Sequence, residues 1–456
     1  MMLNRLDEDS FNAELKANKL LIREHTTTKI DHGRFAIGDK KFTKQYAQLY
    51  FSRLAEMSGR MKAKAKTRWP DIEMAEKLLT IPEEQCILVG TLYKEMKLKP
   101  NALDEYTKSR SDKPVETPDI LCSEDDSMVL EDSHARIPLS FAGKGLPAIS
   151  SLVSGIVVAV KGKNNSKSGV FLVDEIMYAG IPSQKQEGPT PASDKFIVLA
   201  SGLRIGGKSS DTRLQMLTSF INGMAGTATD QQKSSEIAQV VLAGNSIIIE
   251  KEGNPEYAHF NKKAENDKRV GESITSALRD FDVTLTSIAS NVNVLLMPGA
   301  EDPSNFNLPQ QKLPKFLFRS SATYSTLECV TNPCQAEISN RKILGTSGQN
   351  IADLAKYSTA KEPIDFLERT LTWQHLAPTA PDTLGCYAFT DRDPFLINEC
   401  PDIYFAGNQE KFASKIVEGP EGQKACLVMV PDFSKTGSIA MVNLRNLESY
   451  EVEFGL

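Results

Sequence analysis

The stretch FIVLASGLRIGGKSS, Phe196 to Ser210, decides the fold because it supports two opposite readings. As a pattern, Gly202, Gly207, Lys208 and Ser209 satisfy G-x-x-x-x-G-K-[ST] behind an apolar strand. In a phosphate-binding loop the glycines turn backbone N–H groups toward the phosphates, the lysine reaches the outer phosphates and the hydroxyl joins the magnesium shell. Such a site also needs a later apolar strand ending in Asp, to hold the metal through water. The one good candidate, FLVDE at Phe171 to Glu175, precedes the loop and falls in a different segment. The strands that follow end in Ala243-Gly244-Asn245 and Pro298-Gly299-Ala300, without Asp at the expected place. The match is therefore read as a coincidental Gly-rich turn, with a nucleotide-binding enzyme kept as an alternative.

Outward from this stretch the chain alternates. After FIVLAS come an amphipathic segment through Leu214, Leu217, Ile221 and Met224, then VVLAGN, a long helical segment from about Asn261 to Ala289, and VNVLLMPG. Strands this continuously apolar are expected where both faces of a sheet are covered. KILGTSG, a helix through Phe366, Leu367 and Leu371, and IYFAGN follow, and ACLVMVPDF, SIAMVNL and YEVEFG read as an antiparallel finish. On the other side, IPSQKQEGPTPAS (Ile181 to Ser193) carries three prolines and few apolar residues, which marks a domain boundary. Before it, CILVGTLYKEM, SMVLEDSHARIPLS, GIVVAVKGK and GVFLVDEIMYA read as strands of a small antiparallel barrel, with KGKNNSKSG as a hairpin connection. Apolar residues at Phe42, Tyr46, Leu49, Tyr50, Leu54 and Met57 predict an amphipathic helix over Lys41 to Met61, with Tyr46 and Tyr50 read as core packing and a partner surface kept as the alternative. The expected division is an N-terminal segment 1–40, a helix and barrel 41–182, a linker 183–193 and an α/β domain 194–456.

Composition narrows the function. The 456 residues have 40% hydrophobic and 25% charged content, as in a globular chain with substantial cores. A net charge of −6 argues against affinity built on neutralising phosphates. The barrel segment from Cys86 to Gly180 holds 11 Lys or Arg against 13 Asp or Glu, with aromatics only at Tyr93, Tyr106, Phe141, Phe171 and Tyr178. Single-strand binding needs a cationic groove with stacked rings, so a protein-facing barrel is expected and a single-stranded-DNA-binding barrel is the alternative. Seven scattered cysteines with no CxxC indicate neither a disulfide framework nor a zinc ribbon, and suggest a reducing compartment. The absence of a long apolar run predicts no membrane association.

The strand ends, taken as a set, carry the second reading of the opening stretch, since ligands of open α/β sheets bind beyond the carboxyl ends of the strands. They are Ser201-Gly202-Leu203, Ala243-Gly244-Asn245, Pro298-Gly299-Ala300-Glu301-Asp302, Gly345-Thr346-Ser347 and Ala406-Gly407-Asn408. In order and small-residue character they resemble calcineurin-like metallophosphoesterases, which place D-x-H, G-D-x-x-[DN], G-N-H-[ED], a lone His and G-H-x-H at corresponding ends. Two adjacent metals need carboxylates and imidazoles that balance charge and leave room for water and phosphate. Here Ser201 and Leu203 stand for Asp and His, Asn245 for Asp and Asn408 for His, and Ala300 and Glu301 complete the vestigial positions. No metal and no cofactor is expected, with a metal-dependent phosphoesterase enzyme kept as an alternative. Glu301 and Asp302 read as partnerless acids of a solvated loop, and the five histidines, His25, His32, His134, His259 and His375, avoid the strand ends. His375, in WQHLAPTAP, is the one near a plausible surface site and reads as structural.

A phosphoesterase-like domain without its ligands, behind a small barrel, resembles the B-subunits of replicative DNA polymerases. Longer strings sharpen the likeness: FTKQYAQLYFSRL (Phe42 to Leu54), LVGTLYKEM (Leu88 to Met96), MPGAEDPSNFNLPQQ (Met297 to Gln311), YSTLECVTNPCQAEI (Tyr324 to Ile338), ILGTSGQNIADL (Ile343 to Leu354), APTAPDTLGCYAF (Ala377 to Phe389) and ECPDIYFAGN (Glu399 to Asn408). These resemble the small regulatory subunits of DNA polymerase delta from about Ile37 to Phe433, with Lys208-Ser209 a local departure where relatives are expected to carry more glycine. The resemblance implies an OB-fold barrel, a nuclear setting, and a non-catalytic scaffold. That scaffold would bridge the C-terminal region of the catalytic subunit and a third accessory subunit, with DNA touched only indirectly or weakly.

Overall fold

The computed structural model describes residues 21–24, 26–38, 43, 45–99, 118–185, 188–206, 211–248 and 260–455, with backbone alone for Asp211 and 260–273. A short strand β1 (Thr28–Ile30) precedes helix α1 (Ala47–Arg68). The helix begins later than its apolar spacing predicts and runs further, through Lys62-Ala63-Lys64-Ala65-Lys66, residues of high helix propensity. It stops at Trp69, which Pro70 disfavours as a helical residue. Leu49, Arg53, Met57, Met61 and Ala65, four apart, form its buried face. Tyr46 stands 45% exposed instead of packing inside, and Phe42 lies outside the described residues.

The barrel strands are β2 (Glu73–Met74), β3 (Cys86–Glu95), β4 (Ser127–Glu131), β5 (Arg136–Ser140), β6 (Val157–Asn165) and β7 (Val170–Met177). They pair in the order β2-β3-β4-β5-β7-β6, and a further β3–β6 pairing closes a five-stranded ring. Closure removes the sheet edges, and Leu88, Leu92, Met128, Leu130, Val158, Val160 and Phe171 fill the interior. SMVLEDSHARIPLS is a hairpin and not one strand. Asp132 Oδ1 accepts the N–H groups of His134 (2.7 Å) and Ala135 (2.8 Å), the local bonding that lets an Asx residue start a turn.

The rest of the chain forms two stacked mixed sheets. Its elements are β8 (Phe196–Ala200), α2 (Asp211–Ile221), α3 (Ala228–Ser235), β9 (Ile237–Ala243), α4 (Phe260–Ala289), β10 (Asn293–Met297), β11 (Leu327–Cys329), β12 (Cys334–Ile338), β13 (Arg341–Thr346), α5 (Gln349–Tyr357), α6 (Ile364–Thr372), β14 (Ile403–Gln409), β15 (Ala413–Glu418), β16 (Lys424–Pro431), α7 (Phe433–Thr436), β17 (Ser438–Asn443) and β18 (Ser449–Glu453). One sheet runs β11-β10-β9-β8-β17-β18, the other β1-β12-β13-β14-β16-β15. Ile197, Leu199, Val241, Leu295, Ile343, Phe405, Val428, Ala440 and Val442 fill the layer between them. α2 and α4 cover the outer face of the first sheet, while α5, α6 and the barrel cover that of the second. Burial on both faces explains the unbroken apolar runs. The C-terminal strands do not form one antiparallel unit: β16 lies parallel to β14, whereas β17 pairs with β8 and β18 in the other sheet. The chain changes sheets at α7. Met224, assigned to the apolar stripe of α2, lies past its end and is 76% exposed.

A buried charge cluster ties α1 to the α/β part. Arg53 Nε donates to Asp393 Oδ2 (2.7 Å), Nη1 to the carbonyls of Gly155 (3.1 Å) and Pro378 (2.8 Å), and Nη2 to that of Ala380 (2.7 Å). His375, far from any surface, places Nε2 at 2.8 Å from the same Asp393 oxygen while Nδ1 accepts Ala377 N–H at 3.1 Å. That acceptor role fixes a neutral imidazole whose Nε2–H donates. Burial and the Arg53 charge push His375 down to about 4, against the pull of Asp393. Burial opposes ionisation of Asp393, yet the His375 ring and the Arg53 guanidinium, both bonded to it, hold its carboxyl well below the usual carboxylate range.

Candidate functional site: the strand-end crater

The ends of β8, β9, β10, β13 and β14 converge. Gly202 (φ +64), Gly244 (φ +86), Asn245 (φ 52) and Asn408 (φ 57) adopt left-handed backbone there, the conformation tolerated by Gly and Asn that turns a chain sharply off a strand. Gly202 N donates to Gly244 O at 2.9 Å. Asn408 N donates to Ser201 Oγ at 2.8 Å, and its side-chain amide donates to the carbonyls of Ala243 (3.2 Å) and Ser347 (2.8 Å). A Cβ on Gly244 would sit 2.6 Å from Ser347 Cβ and 2.7 Å from Gly299 Cα, so the ends press directly on one another.

Each position that the sequence suggested as a former ligand site has a structural partner or offers no ligand atom. Ser201 is buried and its hydroxyl donates to Pro431 O at 3.0 Å. Leu203 packs in the apolar layer shared with Leu217 and Phe281. Asn245 Oδ1 accepts the N–H of Glu301 at 3.1 Å, and Ala300 is exposed with no ligand atom to offer. Behind the β13 end, the Asn332 amide donates to Gln310 Oε1 (2.8 Å), Ser347 Oγ (3.0 Å) and Gln349 Oε1 (2.9 Å).

The charges at the crater centre on Arg204. Its Nη2 lies 3.1 Å from Glu301 Oε1 and 3.1 Å from Asp432 Oδ2. Asp432, buried at the end of β16, also accepts Ser434 Oγ at 2.7 Å. Asp302 accepts N–H groups from Ser246 (2.9 Å), Ile247 (3.0 Å) and Gly299 (2.8 Å), and burial pushes its carboxyl up to about 6 despite them. Glu301 and Asp302 are thus partnered, contrary to the solvated-loop expectation. Arg204 Nε, Glu301 Oε2 and Asn408 Oδ1 have no protein partner. Sequence reasoning missed Arg204 and Asp432. The second was visible as an apolar strand, ACLVMV, running into Pro-Asp, whereas nothing near Arg204 hinted at its two carboxylates.

Of the phosphate-loop pattern, Gly207, Lys208 and Ser209 lie outside the described residues. Upstream, the N–H groups of Arg204 and Ile205 donate to Asn245 O (3.0 Å) and Ser246 O (2.9 Å), so the described part of the loop pairs with the β9 end. His32 and His134 are exposed, and His25 and His259 fall outside the described residues. Among the described residues, no group of three or more His, Cys, Asp or Glu is placed to hold a metal ion. In the barrel, Phe171 is fully buried and burial raises the Tyr178 phenol to about 12, while Tyr106 lies outside the described residues. No helix among the described residues is long and apolar enough to cross a membrane.

Two family descriptions match the chain: the OB-fold domain of the DNA polymerase delta subunit over residues 45–176, and the B-subunit of DNA polymerase alpha/epsilon over residues 197–414. The DNA polymerase delta small subunit of Arabidopsis thaliana is 42% identical over 448 residues, 97% of this chain and 98% of the relative. DNA polymerase delta subunit 2 of Drosophila melanogaster is 34% identical, covering 92% of this chain and 96% of its own. The DNA polymerase delta small subunit of Saccharomyces cerevisiae is 30% identical over 91% of both chains. With an OB-fold barrel ahead of stacked mixed sheets and full-length likeness at these levels, the chain belongs to the DNA polymerase delta small-subunit family.

Proposed function

We propose that this chain is a non-catalytic scaffold subunit of a nuclear DNA polymerase delta assembly, serving replication and repair synthesis. It joins the C-terminal region of the catalytic subunit to a third accessory subunit and contacts DNA at most indirectly. On this reading the chain divides at 1–40, 41–182, 183–193 and 194–456, and the stacked sheets are a calcineurin-like phosphoesterase sandwich whose metal positions have been replaced. Family membership supports the subunit role. The observation that carries the non-catalytic part is the Arg204 guanidinium, 3.1 Å from both Glu301 and Asp432.

A two-metal hydrolase must gather several carboxylates and imidazoles around its cations and keep open positions for water and phosphate. In the crater two carboxylates already share a fixed cation, and the Ser201 hydroxyl, Asn245 Oδ1 and the Asn408 side-chain N–H groups are bonded to neighbouring backbone, which leaves Asn408 Oδ1 as the one unpaired oxygen of the three side chains. Nucleotide binding at Gly202, Gly207, Lys208 and Ser209 is disfavoured because the N–H groups of Gly202, Arg204 and Ile205 already donate to the β9 end. The acidic barrel, with a buried Phe171, disfavours single-strand binding.

The test is a purification and two titrations. The chain is expected to co-purify with the catalytic subunit's C-terminal region, to carry no stoichiometric manganese or zinc, and to behave identically as Lys208→Ala in an ATP titration. Stoichiometric metal with phosphodiester hydrolysis would overturn the non-catalytic reading, and loss of co-purification would overturn the scaffold.

A further inference from the structure

A groove of about 650 Å³ opens between the first two turns of α1 and the barrel, lined by Tyr50, Phe51 and Leu54 on the helix, Leu92 and Tyr93 on β3, and the Glu131–Arg136 turn, while the later turns of the helix pack directly on the barrel. Phe51 is 47% exposed there. The groove is stiff at its base, because the Arg53 guanidinium lies 5.4 Å above the Tyr50 ring and is bonded to Gly155 O at the groove's end. Its volume lies within the roughly 300–1,000 Å³ of built binding clefts. The Ala47–Leu54 wall extends about 12 Å at 1.5 Å per residue, the length of two turns of a second helix.

Charge says what kind of helix fits. The groove carries Glu131, Asp132, His134 and Arg136, the last paired with Glu131 at 2.7 Å. Burial raises the Glu131 carboxyl against Arg136, and Asp382 and Glu95 add to it. With Asp382 paired to Lys99 at 2.6 Å, the four carboxylates Glu95, Glu131, Asp132 and Asp382 outnumber the two cations Lys99 and Arg136. Apolar floor and acidic rim together complement an apolar stripe bordered by cations.

We infer that this groove docks an amphipathic helical segment of a partner chain, with aliphatic side chains at i, i+3 or i+4 and i+7 and basic residues beside them. The inference rests on the reading of this chain as a subunit, and adds the surface and the chemistry of its occupant.

The test places a photo-crosslinking benzophenone side chain at position 51 of the full chain within the assembled polymerase, and maps the captured peptide by mass spectrometry. A basic, helically patterned partner segment is expected. Phe51→Glu, at a half-exposed site, should leave the melting temperature intact and weaken assembly at least about tenfold. Met224→Glu, outside the groove, should leave assembly unchanged. A cross-link to a second copy of this chain, capture of an acidic or extended segment, or silence at position 51 in an intact assembly overturns the inference alone. If the unmodified chain does not assemble, the subunit reading falls and takes the inference with it.

Discussion

Arg53 and Arg204 both sit among carboxylates, and the contrast between them separates a charge that builds the fold from one that the fold accommodates. The Arg53 side chain is 1% exposed; it engages Asp393 and three backbone carbonyls, and Asp393 also receives His375. Arg204 is 21% exposed, bridges Glu301 and Asp432, and leaves Nε unpaired. A buried ion is tolerated only when geometry and hydrogen bonding offset its desolvation, so the junction had to be completed. At the crater, solvent shares the load, and partial satisfaction suffices. The junction is therefore the less forgiving of the two regions.

The sharpest way to break this contrast is to remove the junction cation. Arg53→Met leaves Asp393 buried beside a neutral imidazole and strips a donor from three carbonyls. A loss of about 3–5 kcal/mol is expected in urea unfolding, as for other half-removed buried pairs. Gly155 is the next point of attack. Its φ of +90 disfavours any side chain, and a Cβ would lie 1.9 Å from Pro378 O across the junction. Gly155→Ala should cost about 3 kcal/mol, strain and displacement combined, and a variant as stable as the parent would mean that the junction yields easily.

Acid should pull the two regions in opposite directions. The folded pKa of His375 lies at about 4, below the usual 6.5, so its contribution is intact above pH 6.5. It is lost as pH falls toward 4, because the unfolded chain takes a proton that the folded one refuses. The slope is at most about 1.4 kcal/mol per pH unit. Asp302 at the crater is raised from 3.8 to about 6, so its contribution is present below 3.8 and lost as pH rises through 6. The parent profile sums both effects. Subtracting the profile of His375→Gln isolates the junction's share, and a flat difference between pH 6.5 and 4 would contradict a buried neutral imidazole.

Legibility in the sequence followed the range of the interactions. The barrel strands, β8 to β10 and α4 were written in local apolar spacing. So was the crowding of small residues at the strand ends. What escaped was non-local or short. α5 is a nine-residue helix opening after Gly348, and β15 exposes most of its residues, so the first is too short and the second too polar to stand out from the surrounding sequence. That β16 and β17 part into different sheets depends on packing between layers, which no window of the sequence contains. Arg204 meets Asp432 across 228 positions, and Arg53 meets Asp393 across 340. His375 reads from the sequence as structural and near a surface site; it is buried, with Nε2 on Asp393 eighteen positions on, a partner that no local pattern announces.

The smallest expected effect falls at the crater itself. Arg204→Ala removes the cation shared by Glu301 and Asp432, but Glu301 is one-third exposed, and Asp432 keeps Ser434 Oγ at 2.7 Å and Lys435 Nζ at 3.6 Å. The remaining repulsion is solvated on one side, so the loss should be about 1 kcal/mol, near the upper end for exposed pairs. It should also shrink in high salt, since screening acts on charges that solvent reaches and spares those that it does not. Unfolding of Arg204→Ala and Arg53→Met at low and high ionic strength measures this directly. If the Arg204 penalty matched that of Arg53 and ignored salt, the crater would be as closed as the junction, and its arginine would be a keystone of the fold instead of a counter-ion at its edge.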